Sequence, residues 1–101
     1  MNYEECVQNT IEYIEENLSE ELSVEIISAN AGYSAFHFCR IFKKYTGESL
    51  MSYVRKKRLE KAEIAMKEGA TVFEAAQNFG FETQSGFARA YERNYGKKPK
   101  K

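Results

Sequence analysis

Apolar residues recur along the chain at helical spacing in six segments, and each segment is closed by a turn signal. The first stripe has spacings of four, three and four residues and is formed by Val7, Ile11, Ile14 and Leu18. This spacing predicts a helix over roughly residues 3 to 17, with one apolar face and an acidic face opposite it.

Two shorter helices are predicted next. Ser23 is the expected N-cap of a helix that ends at Gly32 and bears Val24, Ile26, Ile27 and Ala31. Ser34 is the expected N-cap of the following helix, which ends at Gly47. Its predicted inward stripe comprises Phe38, Ile41, Phe42 and Tyr45.

Three further helices complete the prediction. The longest begins at Ser49, runs to about Lys67 and is closed by Gly69; its candidates for burial are Leu50, Tyr53, Val54, Leu59, Ala62, Ile64 and Met66. Thr71 is the expected cap of a fifth helix that ends at Gly80. A sixth begins at Thr83 or Glu82, turns Phe87, Ala90 and Tyr91 inward and stops at Gly96.

The chain repeats this pattern once. Ser23, Val24, Gly32 and Tyr33 return as Thr71, Val72, Gly80 and Phe81 at an offset of 48, and Phe38, Arg40, Phe42 and Gly47 return as Phe87, Arg89, Tyr91 and Gly96 at an offset of 49. Each copy consists of a cap, a short helix, a glycine turn, an aromatic residue, a second helix and a glycine. This order is typical of a helix-turn-helix unit.

Charge is distributed unevenly, although the formal net charge is zero. Residues 1–39 carry eight glutamates and no lysine or arginine, whereas residues 40–101 carry all fifteen basic residues and seven glutamates, which gives +8. A zero total argues against a nucleic-acid binder. The segregation nevertheless allows one basic face to meet phosphate.

Several classes of protein are disfavoured. The sequence contains no long apolar run and no signal peptide, so we expect a cytoplasmic protein with no membrane contact. Cys6 and Cys39 are far apart and accompanied only by His37, which fits no zinc site or disulfide framework, so we expect free thiols and no metal or other cofactor. The chain has no aspartate, no glycine-rich phosphate loop and no paired nucleophile and base, so an enzyme is the weakest hypothesis.

The outward positions of the second helix in each copy carry side chains suited to base edges. In the first copy they include Phe36, which can contact a thymine methyl group, and Arg40, which can pair with guanine. In the second copy they include Gln84, which suits adenine, and Arg89, which suits guanine. The alternative for both arginines is an ordinary solvated face or an i,i+4 ion pair, but their equivalent placement in the two copies favours DNA.

Other cations are assigned to phosphate contacts, because they cluster near helix ends. The predicted phosphate-contacting residues are Ser34, His37, Lys43, Lys44, Arg93, Lys97 and Lys98. For His37 a purely structural role remains open. The basic run over residues 55–61 is equally compatible with a DNA contact and with a solvated face, and Cys39 is more easily explained as an inert thiol than as an oxidant sensor.

The segments AGYSAFHFCRIFKKYTGESLMSYVRKKRLEKA and FGFETQSGFARAYERNYGKKP closely resemble the tandem helix-turn-helix domain of the AraC/XylS family of bacterial transcription regulators. The resemblance implies an all-α, homeodomain-like fold of about seven helices, with subdomains at 1–48 and 69–101 joined by a linker helix at 49–68. It also implies that the recognition helices, at about 35–45 and 83–94, enter successive major grooves of one asymmetric site. The family's base-facing positions fall on Phe36, Cys39 and Arg40, and on Thr83, Gln84, Ser85 and Arg89.

Two departures from the family pattern are Gly86, which should cost about 1 kcal/mol of helix propensity, and an unusually acidic first helix. The family's usual tail after Pro99 is absent, which suggests a fragment whose effector-binding domain, if any, follows Pro99.

We therefore expect a monomeric domain that binds double-stranded promoter DNA and contacts RNA polymerase. The alternative is a helical protein-interaction module that has lost DNA binding, which the zero net charge and the acidic first helix favour.

Overall fold

The computed structural model of the protein describes residues 2–99. These residues form six α-helices and no strand: α1 (Tyr3–Glu16), α2 (Val24–Ala31), α3 (Ala35–Thr46), α4 (Leu50–Lys67), α5 (Val72–Asn78) and α6 (Gln84–Tyr95). The predicted all-α class and the six helices expected from periodicity are confirmed. The family resemblance implied about seven helices, and the described residues contain six.

The chain divides into two compact units, Met1–Arg55 and Lys56–Lys101. The boundary falls inside α4, which begins in the first unit and continues into the second. The predicted division into two subdomains and a separate linker helix remains a prediction.

In the first unit, α1, α2 and α3 pack against one another and against the beginning of α4. The centre of this core is formed by the fully buried side chains Val7, Ile14, Ile27, Phe38, Phe42, Leu50 and Val54. Tyr53 is also buried: its ring meets that of Phe42 at 5.5 Å, and its hydroxyl donates to Oε2 of Glu15 over 3.3 Å. Apolar burial at this density is the main stabilising contribution for a unit of this size.

In the second unit, α5 and α6 pack around the second part of α4. The core consists of Leu59, Ala62, Val72, Ala75, Ala76, Phe87, Ala90 and Tyr91, and partly buried Met66, Phe79, Phe81 and Tyr95 pack against it. Small alanines at four of these positions let the short helix α5 approach its neighbours closely, while the aromatic rings of α6 fill the remaining volume.

The helix ends follow from local chemistry that the sequence already shows. Ser23, Ser34, Thr71 and Thr83 are the N-caps of α2, α3, α5 and α6, and each side chain accepts a hydrogen bond from the backbone N–H three residues later. Left-handed glycines cap α2, α3 and α6 at positions 32, 47 and 96. The fifth helix ends earlier than predicted, at Asn78, and Gly80 lies in the turn that follows, with φ +88°.

Two side chains predicted to be buried are exposed. Tyr45 is 46% exposed because it lies along an open groove on one side of α3. Ile64 is 49% exposed because it lies two residues after the buried Ala62, which places it on nearly the opposite side of α4.

Candidate nucleic-acid interface

The first helix-turn-helix unit is built by α2, the turn at Gly32 and α3. Gly32 has φ +87°, which turns the chain after α2, and the Ser34 hydroxyl then accepts from the His37 N–H over 3.2 Å to start α3. Phe38, Ile41 and Phe42 anchor α3 in the core. The opposite side of the helix is consequently fixed in solvent, at the positions that a major groove would meet.

We define the first reading surface as Phe36, Cys39 and Arg40. Phe36 is 73% exposed, Arg40 is exposed, and Cys39 is half-buried. The structure brings Phe36 and Arg40 together, since the Arg40 Cζ lies 5.6 Å from the centre of the Phe36 ring, within the range of a cation–π contact.

The phosphate-contact candidates of the first unit, Ser34, His37, Lys43 and Lys44, are all exposed. His37 is held by two neighbouring rings: its imidazole meets Tyr3 at 6.0 Å and Tyr33 at 5.2 Å, both edge-on, and the two tyrosine rings are 5.9 Å apart. Neither tyrosine was predicted from the sequence to have a role at this surface. The sequence contains one indication for Tyr33, because an aromatic residue follows the glycine of the turn in both copies.

A shallow groove of about 500 Å³ runs along the same side of α3. Its walls are Tyr3, Phe36, His37, Arg40, Ile41, Lys44 and Tyr45, so it combines apolar surface with cationic side chains and contains no acidic residue. A surface of this composition suits a partner that carries both negative charge and apolar groups, as DNA does in its major groove.

The second helix-turn-helix unit is built by α5, the turn at Gly80 and α6. Phe87, Ala90 and Tyr91 are buried, which leaves the opposite side of α6 in solvent. We define the second reading surface as Thr83, Gln84, Ser85 and Arg89, all of which are exposed. The phosphate-contact candidates Arg93, Lys97 and Lys98 lie in and just after the last turn of α6 and are also exposed.

Gly86 lies beside the cap of α6. The Thr83 Oγ1 accepts from the Gly86 N–H over 2.9 Å, and a Cβ built at position 86 would lie 3.1 Å from the same oxygen. The absence of a side chain therefore leaves room for the cap. The lower helix propensity of glycine is offset in part by an unstrained hydrogen bond at the helix N-terminus.

The two arginines of the reading surfaces are available for a partner. Within residues 2–99, neither Arg40 nor Arg89 takes part in an ion pair, in contrast to Lys57, whose Nζ lies 3.4 Å from Glu60 Oε1. The i,i+4 ion pair considered as the alternative for these arginines is not formed in the structure. A guanidinium that has no carboxylate partner does not have to break an ion pair before it binds a base or a phosphate, so less free energy is lost on binding.

The turn of the second unit is supported by Arg58, which belongs to the basic run of α4. The guanidinium lies against Gly80 so closely that a Cβ there would be 2.6 Å from Arg58 Cζ. Partial burial lowers the pKa of Arg58, which nevertheless stays cationic at neutral pH. Among the residues that the structure describes, no heavy atom outside Gly32 and its two chain neighbours lies within 4 Å of a Cβ built at Gly32, the equivalent glycine of the first unit.

Behind α6, two tyrosines meet a carboxylate of α4. The Tyr91 hydroxyl donates to Glu63 Oε2 over 3.1 Å, and the rings of Tyr91 and Tyr95 are 4.5 Å apart. Burial, reinforced by the negative charge of Glu63, raises the pKa of Tyr91, and the same two causes raise the pKa of Tyr95 to about 12. These contacts hold α6 against α4 from the side opposite the second reading surface.

No helix formed by residues 2–99 combines the length and apolar character needed to span a membrane. Over the same residues, no three side chains of the metal-binding types are grouped to hold an ion. Cys6 is buried and Cys39 is half-buried, and both are free thiols.

Comparison with known proteins identifies the family. A profile of the helix-turn-helix domain family matches residues 27–101. The HTH-type transcriptional regulator YbfP of Bacillus subtilis is 39% identical over 100 residues, which are 98% of this chain and 34% of YbfP. The multiple antibiotic resistance protein MarA of Escherichia coli is 33% identical over 96 residues, which are 94% of this chain and 76% of MarA. This chain thus spans about a third of YbfP and about three quarters of MarA.

Solved structures agree in fold. A probable AraC family transcriptional regulator from Rhodopseudomonas palustris has a TM-score of 0.81 and 32% identity, and the alignment covers 93% of this chain and 90% of that one. The DNA-binding domain of AdpA, solved in complex with a target DNA, has a TM-score of 0.86 and 24% identity, with coverage of 91% and 84%. The chain belongs to the AraC/XylS family of helix-turn-helix, DNA-binding transcription regulators.

Proposed function

We propose that this chain binds a specific double-stranded DNA sequence at promoters, with α3 and α6 in successive major grooves of the same site. The observation that carries the proposal is the duplicated placement of Arg40 and Arg89. Each arginine is exposed, lies on the outward side of a capped second helix, and is free of ion pairs within residues 2–99. Two structural copies that present the same base-pairing group suit a DNA site with two half-sites.

The roles of the reading surfaces follow from their chemistry. The guanidinium groups of Arg40 and Arg89 pair bidentately with O6 and N7 of guanine, and Gln84 pairs with adenine. Phe36 contacts a thymine methyl group, and Cys39, Thr83 and Ser85 fill the space beside these contacts. The fold shared with the AdpA domain, which is solved with its target DNA, supports DNA binding by a domain of this fold.

The remaining contacts position the protein on the phosphates. Lys43, Lys44, Arg93, Lys97 and Lys98 supply charge, and Ser34 and His37 supply hydrogen-bond donors near the start of α3. The logarithm of the binding constant falls linearly with the logarithm of the salt concentration, with a slope of about −0.9 for each neutralised phosphate. Five lysine and arginine contacts therefore give an expected slope of about −4 to −5.

The test begins with selection of a preferred site by the full chain from a random duplex library, followed by fluorescence anisotropy at several salt concentrations. Arg40→Ala and Arg89→Ala should each cost about 1 to 3 kcal/mol and relax specificity at one base pair. The matched control Lys43→Ala should weaken all duplexes alike and reduce the salt slope by about 1. Unchanged affinity of both arginine variants for the selected duplex would refute the assignment.

A protein-interaction module is the second candidate, and a specific observation favours it. The first unit exposes acidic side chains along α1, including Glu4, Glu5, Glu12 and Glu16, and the net charge of the chain is zero. Equal, weak binding to every duplex, with no site enriched by selection, would support this candidate instead.

The proposal extends to the assembly in which the domain acts. We propose a cytoplasmic domain that is monomeric in isolation, binds as one copy to an asymmetric site and contacts RNA polymerase there. Sedimentation of the protein with a selected duplex measures the stoichiometry, and a pull-down of purified polymerase on that duplex measures the second contact. Two copies per site would contradict the monomeric arrangement, and equal recovery of polymerase without the chain would contradict the contact.

A further inference from the structure

The outward side of α3 carries an aromatic ring and a guanidinium that contact each other, which we call the Phe36–Arg40 pair. Phe36 is 73% exposed, more than any other large hydrophobic side chain of residues 2–99. The guanidinium of Arg40, one helical turn later, lies over its ring at 5.6 Å. The ring thereby orders Arg40 before DNA is bound, so less conformational entropy is lost when the guanidinium pairs with a base.

The separation within the pair limits which bases it can meet at the same time. Successive bases on one strand of B-DNA are about 3.4 Å apart along the axis, and bases two steps apart are about 6.8 Å apart. The 5.6 Å between the Arg40 Cζ and the centre of the Phe36 ring is the upper limit of their separation along the DNA axis. Because this limit falls short of two steps, the pair fits neighbouring base pairs rather than bases two steps apart. Arginine selects guanine, and an apolar ring in the major groove finds a methyl group at C5 of a pyrimidine.

The second unit has the arginine without the ring. At the offset of 49 that relates the second helices of the two copies, Arg40 corresponds to Arg89, but Phe36 corresponds to Ser85. Ser85 is exposed and offers a hydroxyl in place of apolar surface. A hydroxyl gains little from contact with a methyl group, so the two units differ in the group that they recognise beside guanine.

We infer that the Phe36–Arg40 pair recognises one base step, in which a pyrimidine bearing a C5-methyl group lies beside a guanine, and that the methyl group itself is required. Thymine and 5-methylcytosine present this group at the same place in the major groove. Binding by the first unit therefore responds to methylation of a cytosine that lies beside this guanine. The inference rests on the proposed function and deepens it in two ways: it places the methyl group next to the guanine that Arg40 recognises, and it makes cytosine methylation a regulator of binding.

The experiment uses the full chain and the duplex selected for it. Each thymine is replaced singly by deoxyuridine, which removes only the methyl group, and affinity is measured by anisotropy. One thymine next to a guanine should then lose affinity about fourfold, which corresponds to about 0.8 kcal/mol for one buried methyl-sized group. At that position, a duplex with 5-methylcytosine should bind about fourfold more tightly than the same duplex with cytosine.

The variant Phe36→Ser gives the first unit the residue of the second, and the matched control Phe73→Ala removes a different exposed aromatic ring, on α5, that is 56% exposed. Phe36→Ser should bind thymine and uracil duplexes equally and retain the salt slope, whereas Phe73→Ala should keep the fourfold difference. The two methylated bases are separate arms, so a response to thymine but not to 5-methylcytosine would overturn the methylation part of the inference.

Two outcomes would overturn the inference as a whole. One is that no thymine next to a guanine responds to removal of its methyl group, and the other is that the response survives in Phe36→Ser. In both cases the chain still selects a duplex sequence, so the proposed function stands. If selection enriches no sequence at all, the proposed function fails first, and the results are distinguishable.

Discussion

Replacement of Gly80 by alanine tests whether Arg58 supports the turn of the second helix-turn-helix unit. The chain contains its own control, because Gly32 occupies the equivalent turn with almost the same backbone conformation, φ +87° against +88°. A side chain in this left-handed conformation costs about 1 to 2 kcal/mol, partly offset by the smaller conformational entropy of the unfolded chain. Gly32→Ala should therefore destabilise the protein by about 1 kcal/mol.

Gly80→Ala should cost the same conformational free energy as Gly32→Ala and, in addition, the free energy of a steric clash. The new Cβ would be 2.6 Å from Arg58 Cζ and 2.7 Å from one guanidinium nitrogen, so the guanidinium must withdraw by about 1 Å to reach ordinary contact distance. Because the displaced group is the far end of a flexible side chain, the cost lies near the lower end of the range for overpacking, about 1 kcal/mol. We expect about 2 kcal/mol in total for Gly80→Ala.

Urea denaturation of four proteins measures the free energy of this clash: the wild type, Gly80→Ala, Arg58→Ala and the double variant. Both substitutions lie in the second unit, so the double-mutant cycle does not depend on how the first unit unfolds. In the Arg58→Ala background, Gly80→Ala should cost only the conformational free energy, about 1 kcal/mol. Equal costs of Gly80→Ala with and without Arg58 would refute the reasoning.

Three further predictions concern the second unit. Thr71→Ala removes a reciprocal cap with Glu74, so it should destabilise the protein by about 1 kcal/mol in urea while Thr71→Ser stays close to the wild type; equal loss in both would contradict this. Helix propensity predicts that Gly86→Ala stabilises the protein by about 1 kcal/mol. The measured gain should be well below this value, because the new Cβ crowds the Thr83 oxygen that caps α6. A full gain in the same assay would show that the Thr83 side chain can move aside at no cost. Folding raises the pKa of Tyr95 to about 12, so the folded protein keeps the phenolic proton at pH values where the unfolded chain loses it. The contribution of Tyr95 to the free energy of unfolding should therefore be fully present below pH 10 and be lost between pH 10 and 12. The loss should be of order 1 kcal/mol once solvent screening is allowed for. Tyr95→Phe should show a smaller fall between those pH values in urea midpoints, and an unchanged fall would contradict the assignment.

Local signals in the sequence predicted the helix boundaries well. Serine and threonine caps and left-handed glycines act within four residues of the chain, so Ser34 and Gly47 define the ends of α3 before any packing is known. The same signals, repeated in both copies, predicted the exposure of Arg40 and Arg89.

Contacts between distant residues could not be predicted in this way. Periodicity shows that a stripe is apolar but not which part of it a neighbour covers, so Tyr45 was placed inside and is exposed. The Tyr91 to Glu63 hydrogen bond joins residues 28 apart, and no local pattern marks it. The Phe36–Arg40 contact is different, because a spacing of four residues on a helix was available as a signal.

The hydroxyl caps at Ser34 and Thr83 narrow the substitutions that the two second helices can accept. Each oxygen already accepts an N–H from the backbone, so the hydroxyl keeps its O–H as the one donor that it can offer outward, together with its second lone pair. Aspartate would cap either helix equally well but would present a negative charge and no donor to the proposed DNA partner, and this chain contains no aspartate at all. Under the proposed function, one oxygen at each of these positions serves both folding and recognition, and only exchange between serine and threonine preserves both roles.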